Sequence, residues 1–98
     1  MTKLKITDTS YTRNSKDTLN YNGSRWVEGY IGEFIYQAKI YACGSQFGIN
    51  EGNVSKLWIC HQKTRQTVVN YDRGWDIEPT DEYIKAMVDA IVEYYYAE

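Results

Sequence analysis

Few side chains in this sequence have the chemistry of a nucleophile, a base or a metal ligand. There is one histidine, His61, and there are two cysteines, Cys43 and Cys60. Cys60 and His61 adjoin at the end of Val54 to His61, a stretch with the character of a β-strand. Successive strand residues point to opposite faces, so this thiol and imidazole cannot work as a nucleophile–base pair. Cys43, Cys60 and His61 also lack the spacing of a tetrahedral zinc site. His61 is therefore read as a structural or surface residue. Asp72 and Asp76 bracket Arg73 and Trp75. Two acids around one turn have the composition for acid–base work. Their nearness to an arginine and to a following helix suits pairing and capping better.

The stretch Gly44-Ser45-Gln46-Phe47-Gly48-Ile49-Asn50-Glu51-Gly52 has the glycine content of a phosphate loop. It lacks the Gly-Lys-Ser/Thr ending and leads into a strand, so no helix N-terminus is there to hold a phosphate. Lys3, Lys5, Arg13, Lys16 and Arg25, with Tyr11 and Tyr21 between them, have the make-up of a nucleic-acid contact. The net charge of −2 argues against nucleic acid as the main ligand. No catalytic residue, cofactor or metal is expected, and the chain reads as a non-enzyme.

These side chains sit on what a chain of 98 residues can build. Such a chain buries roughly two-thirds of its unfolded surface, enough for one core and little room for a deep pocket. With 43 % hydrophobic and 24 % charged residues it is globular rather than disordered. The N-terminal residues hold no apolar run long enough for a signal peptide, and no segment reaches the roughly 20 apolar residues of a membrane span. A soluble, cytoplasmic protein with reduced thiols is expected, and no membrane association. Ten tyrosines and three tryptophans are an excess of residues that suit half-exposed and interface positions. Charge is uneven. Residues 1–71 carry nine Lys/Arg against five Asp/Glu, whereas 72–98 carry two against eight, so an acidic C-terminal block follows a mildly basic body. Such a block is a solvated helix face or a surface for a basic partner.

The pattern predicts one domain, in which 1–25 form a short strand and a polar arm and 26–98 form a sheet plus a helix. Trp26 to Ile31 and Phe34 to Ala42 read as a hairpin joined by Gly32-Glu33, with glycine taking the positive φ of a type II′ turn. Phe34, Tyr36, Ala38, Ile40 and Ala42 share its core face, and Ile35, Gln37, Lys39 and Tyr41 the other. A loop over 43–53 follows, pinned by Phe47 and Ile49, then strands at Val54 to His61 and Gln66 to Tyr71. Asp72 to Pro79 reads as a turn and linker, with Thr80 as N-cap and Asp81 and Glu82 in the first helical turn. Ile84, Met87, Val88, Ile91, Val92 and Tyr95 then recur at helical spacing, opposite Lys85, Asp89 and Glu93. The fold class is α+β: an antiparallel sheet of four to five strands with one C-terminal amphipathic helix on one face. The other face, with Ile35, Lys39, Tyr41 and Trp58, is left open and is rather aromatic for bare solvent.

Four segments also carry a resemblance. They are Trp26-Val27-Glu28-Gly29, Ala38-Lys39-Ile40-Tyr41, the run from Ser45 to Leu57 (with Gly48-Ile49-Asn50-Glu51-Gly52-Asn53-Val54-Ser55-Lys56), and Tyr71-Asp72-Arg73-Gly74-Trp75-Asp76. Together they resemble a family of small uncharacterised proteins of phages and mobile elements of Gram-positive bacteria, over about residues 26–92. The resemblance implies no enzyme and no cofactor. It suggests an interaction protein that inhibits a bacterial defence system, as anti-CRISPR proteins do, by occluding a protein partner such as a CRISPR nuclease. A nucleic-acid-binding accessory factor is the alternative, and a homodimer through the open sheet face is compatible with either. Physically, Gly48, Gly52 and Gly74 are expected to free the backbone at turns, Arg73 to fork to Asp72, Asp76 or a loop carbonyl, and Trp75 to close the core edge beneath the helix. The candidate partner-binding residues are Phe47, Asn50 and Glu51 of the loop, Asp72, Arg73, Trp75 and Asp76 of the turn, Asp89 and Glu93 of the helix, and Tyr41 and Trp58 of the open face.

Overall fold

The alternation seen in the sequence becomes a sheet whose strands follow one another in chain order. The computed structural model describes residues 4–9, 24–41, 48–49 and 52–95. The expectations for the polar arm, for Cys43 and for Phe47, Asn50 and Glu51 lie outside the described residues. The strands are β1 (Ile6–Asp8), β2 (Ser24–Ile31), β3 (Phe34–Tyr41), β4 (Val54–His61), β5 (Thr67–Asp72) and β6 (Trp75–Ile77), and the helix is α1 (Glu82–Tyr94). Each strand pairs antiparallel with its neighbours in the order β1-β2-β3-β4-β5-β6. The α+β class stands, with six strands rather than four or five.

The additional strand is β6. Asp72 to Pro79 was expected to be turn and linker, but Trp75 and Ile77 pair back on Tyr71 and Asn70. A three-residue strand is too short to show alternation, so its Asp and Gly neighbours set the reading. The left-handed position of this reversal is Arg73, with φ 58°, whereas Gly74 takes no positive φ. Gly32 does take one, φ 59°, while Glu33 does not, as the Gly-X hairpin requires. Between β4 and β5 the left-handed residue is Arg65, φ 62°, whose N–H donates to the His61 carbonyl at 3.0 Å.

One face of the sheet makes the core. Val27 and Ile31 of β2, Tyr36, Ala38 and Ile40 of β3, Val54, Leu57 and Ile59 of β4, and Val69 and Tyr71 of β5 are buried against Ile84, Met87, Val88, Ile91, Val92 and Tyr95. The whole apolar stripe predicted for the helix is thus buried. Each such side chain contributes roughly 1.5–3 kcal/mol through burial. The helix starts one residue later than expected. Asp81, not Thr80, is the N-cap, and its Oδ1 accepts the Ile84 N–H at 2.8 Å. A carboxylate there satisfies a free amide and also meets the positive end of the helix dipole.

Short β1 is fastened by two devices. Gly29 lies opposite Asp8, and a Cβ at Gly29 would overlap the Thr7 carbonyl oxygen and stand 2.9 Å from the Tyr36 hydroxyl. From the helix side, the Tyr95 hydroxyl donates to Asp8 Oδ2 at 2.7 Å and shares a second bond of 2.7 Å with the Tyr36 hydroxyl. Burial, the largest cause, pushes both tyrosine hydroxyls well above the ordinary phenol range. They therefore stay protonated and act as neutral donors.

Candidate functional site

The face of the sheet turned away from α1 is built by the second half of each alternation. Its residues are Trp26, Glu28 and Tyr30 of β2, Ile35, Gln37, Lys39 and Tyr41 of β3, Lys56, Trp58 and Cys60 of β4, and Thr67, Asn70 and Asp72 of β5, placed there by their cross-strand partners. An antiparallel sheet can leave such a face to water, and then it is usually polar. Here Trp26 is 48 % and Tyr30 44 % exposed, and Trp58 and Tyr41 are half-buried. Trp58 is held in place, since its indole Nε1–H donates to Thr67 Oγ1 at 3.1 Å. Two shallow depressions flank it. One, of about 290 Å³, is lined by Tyr30, Ile35, Trp58 and Arg65 with Glu28 beside them. The other, of about 240 Å³, is lined by Trp26, Lys56, Trp58 and Asp72.

Charge on this face is mixed and local. Lys56 Nζ lies 3.6 Å from Asp72 Oδ1, and Arg73 Nε lies 3.7 Å from the same oxygen. Lys39 Nζ stands 5.7 Å from the centre of the Tyr41 ring, within cation–π reach. Glu28 Oε1 accepts from Gln37 Nε2 at 3.4 Å.

The structure joins some of the sequence-derived candidates and separates others. Tyr41, Trp58 and Asp72 share the open face. The two strings Gly48 to Leu57 and Tyr71 to Asp76 meet, because the Arg73 N–H donates to the Ser55 carbonyl at 3.1 Å while Asp72 pairs with Lys56. Arg73 approaches Asp72 as an ion pair at 3.7 Å rather than through the fork expected of it. Trp75 does not lie beneath the helix. It is 39 % exposed at the sheet edge, edge-on to Tyr71 with 4.8 Å between ring centroids. Asp76 lies beside it in β6, and Asp89 and Glu93 are exposed on the helix, in the layer across the core from the open face. Gly48 serves a close approach rather than a turn, since a Cβ there would overlap the Gly52 carbonyl oxygen. Asn53 closes the loop base, its Nδ2 donating to the Tyr41 carbonyl at 2.8 Å. Ile49, expected as a pin, is buried in the core.

Trp26, Tyr30, Lys56 and Arg65 were not among the candidates. Alternation could have found the first two, because Val27 and Ile31 claim the core and send their neighbours outward. Arg65 enters only because the β4–β5 loop folds over the face, which no local pattern encodes.

Cys60 and His61 do point apart. Cys60 is buried opposite Ile35 and Thr67, and His61 lies opposite Phe34 on the other face. His61 Nδ1 accepts from the Lys63 and Thr64 amides at 3.1 and 3.4 Å, which leaves Nε2 to face Glu33 Oε1 at 3.5 Å. The imidazole thus holds the β4–β5 loop together. Among the described residues no helix is long and apolar enough to cross a membrane.

Fold and face together define a small α+β domain with one sheet surface covered by α1 and one that no element among the described residues covers. Residues 25–96 match the family described as Domain of unknown function (DUF7678), and the chain belongs to that family. No curated protein and no solved structure matches the chain.

Proposed function

We propose that this is a non-enzymatic interaction protein that binds a protein partner through the open face of its sheet. The observation that carries this reading is the row of Trp26, Tyr30, Tyr41 and Trp58 on the face that no element of the described chain covers. Trp and Tyr are the side chains most enriched at the energetic centres of protein interfaces. Strands spaced about 4.8 Å apart and rising about 3.3 Å per residue give this face roughly 600 Å², close to the area one side of a standard interface needs. Mixed rather than uniformly basic charge favours a protein over a nucleic acid, whose backbone repels the Glu28 and Asp72 carboxylates.

The partner class follows from the resemblance in the strings around Gly48 to Leu57 and Tyr71 to Asp76. It is a component of a bacterial defence system, such as a CRISPR nuclease, that the protein inhibits by occlusion. The test is capture from a Gram-positive host, followed by titration of the recovered partner with wild-type protein and with Trp58→Ala and Trp26→Ala. Loss of an aromatic anchor is expected to weaken binding about 30-fold or more, as a 2 kcal/mol interface residue does. Unchanged affinity in both folded variants refutes the open-face reading. Undiminished cleavage by the captured nuclease refutes the inhibitor role.

A further inference from the structure

Lys39 and Lys56 are Cα partners across the β3–β4 pair. Their side chains therefore leave the open face from directly opposed positions, an arrangement that is unfavourable for like charges. Asp72 answers only one of them. Its Oδ1 lies 3.6 Å from Lys56 Nζ and is shared with Arg73 Nε at 3.7 Å, while Lys39 has no carboxylate partner among the described residues. Two cations, Lys56 and Arg73, thus share the Asp72 carboxylate, and Lys39 stands outside that cluster. The surroundings are aromatic. Trp26 is the β2 partner of Lys39, Trp58 is two residues along β4 from Lys56 on the same face, and the depression of about 240 Å³ is lined by Lys56, Trp26 and Trp58.

We propose that Lys39, Lys56 and Trp58 form a subsite for an acidic and aromatic element of the partner protein. Its carboxylate bridges the two ammonium groups, and its ring lies against Trp58 in the depression shared with Trp26. The bridging carboxylate relieves the repulsion within the lysine pair and makes charge-assisted hydrogen bonds to both. A nucleotide offers related chemistry, but a phosphate chain crossing this face passes both Glu28 and Asp72, whereas a single carboxylate set between the lysines passes only Asp72, whose charge Lys56 and Arg73 offset. The proposal rests on the open face being the interaction surface, and it adds the chemistry that the surface selects.

Indole-3-acetate, a ring with a carboxylate, is a direct probe, and tryptamine, the same ring with an ammonium, is its control. Titration into the ¹⁵N-labelled full chain is expected to shift the Lys39 and Lys56 amides and the Trp58 indole N–H together, with saturation in the millimolar range. Lys39→Glu places a carboxylate opposite Lys56 and keeps the strand pairing intact, and it is expected to weaken indole-3-acetate about tenfold, the loss of one charge-assisted contact. Tryptamine is expected to bind at least as weakly. Shifts that map to the helix, or equal binding of tryptamine, overturn the subsite. Tighter, strongly salt-dependent binding of a twelve-residue oligothymidylate overturns it in favour of nucleic acid. The two readings separate in the partner titration. Affinity lost in Trp58→Ala and kept in Lys39→Glu leaves the open face standing and removes the subsite.

Discussion

Tyr95→Phe probes the connection that ties three distant parts of the chain. The Tyr95 ring is 1 % exposed, and its hydroxyl joins Tyr36 of β3 and Asp8 of β1 through two bonds of 2.7 Å. Phenylalanine keeps the ring and its packing, so no cavity of ring size opens, and the change isolates the hydrogen bonds. A neutral bond contributes about 0.5–1.5 kcal/mol and one to a charged group about 1.5–3 kcal/mol, so the loss is roughly 2–4 kcal/mol. For a domain of this size each 1 kcal/mol lowers Tm by about 4–8 °C, which puts the expected fall at about 10 °C or more. Thermal unfolding followed by circular dichroism measures it. Because Asp8 lies in β1, the Ile6–Asp8 segment is expected to open more often, and amide exchange there should rise relative to β3 and β4. A fall of less than about 3 °C, with exchange in β1 unchanged, refutes the claim that this bridge fastens the edge strand.

The same pair sets an alkaline limit. The folded hydroxyls of Tyr36 and Tyr95 titrate above the unfolded value of about 10, so their contribution is whole below pH 10 and declines as pH rises past it, by up to about 1.4 kcal/mol per pH unit for each. Denaturant midpoints measured between pH 9 and 11 should fall faster in the wild type than in Tyr36→Phe, and equal slopes contradict this. Gly48→Ala sets a Cβ against the Gly52 carbonyl, backbone against backbone, and is expected to cost about 2 kcal/mol or more in urea unfolding, while Gly74→Ala, with nothing within 4 Å, is expected to cost under about 1 kcal/mol. Ile91→Asp buries a carboxylate at a fully enclosed position, so no cooperative transition is expected in its melting curve, and a native-like melt would refute the helix docking.

Much of the architecture was legible because two periods are written plainly in the chain. The stripe from Ile84 to Tyr95 has the helical period, and all six residues are buried. The alternation in Phe34 to Tyr41 sorted core from open face correctly, since a strand with one buried face has a single register that hides its apolar set. The opposed directions of Cys60 and His61 follow from the same rule. Local chemistry was less certain where two residues compete for one role. Asp81 rather than Thr80 caps the helix, and Arg73 rather than Gly74 takes the left-handed turn position.

What the sequence by itself determined, then, is the α+β class, the buried face of the helix and the outward side of β3 with Tyr41. Those are consequences of periodicity, which is local. Only the tertiary structure decided that Lys39 stands opposite Lys56, that Asp72 answers one of them, that Trp75 sits at an edge, and that Tyr95 reaches Asp8 at the far end of the chain. Each of these depends on which strands neighbour one another and in what register. That is settled by long-range pairing and by the packing of one helix on one face, and no short window of sequence contains it.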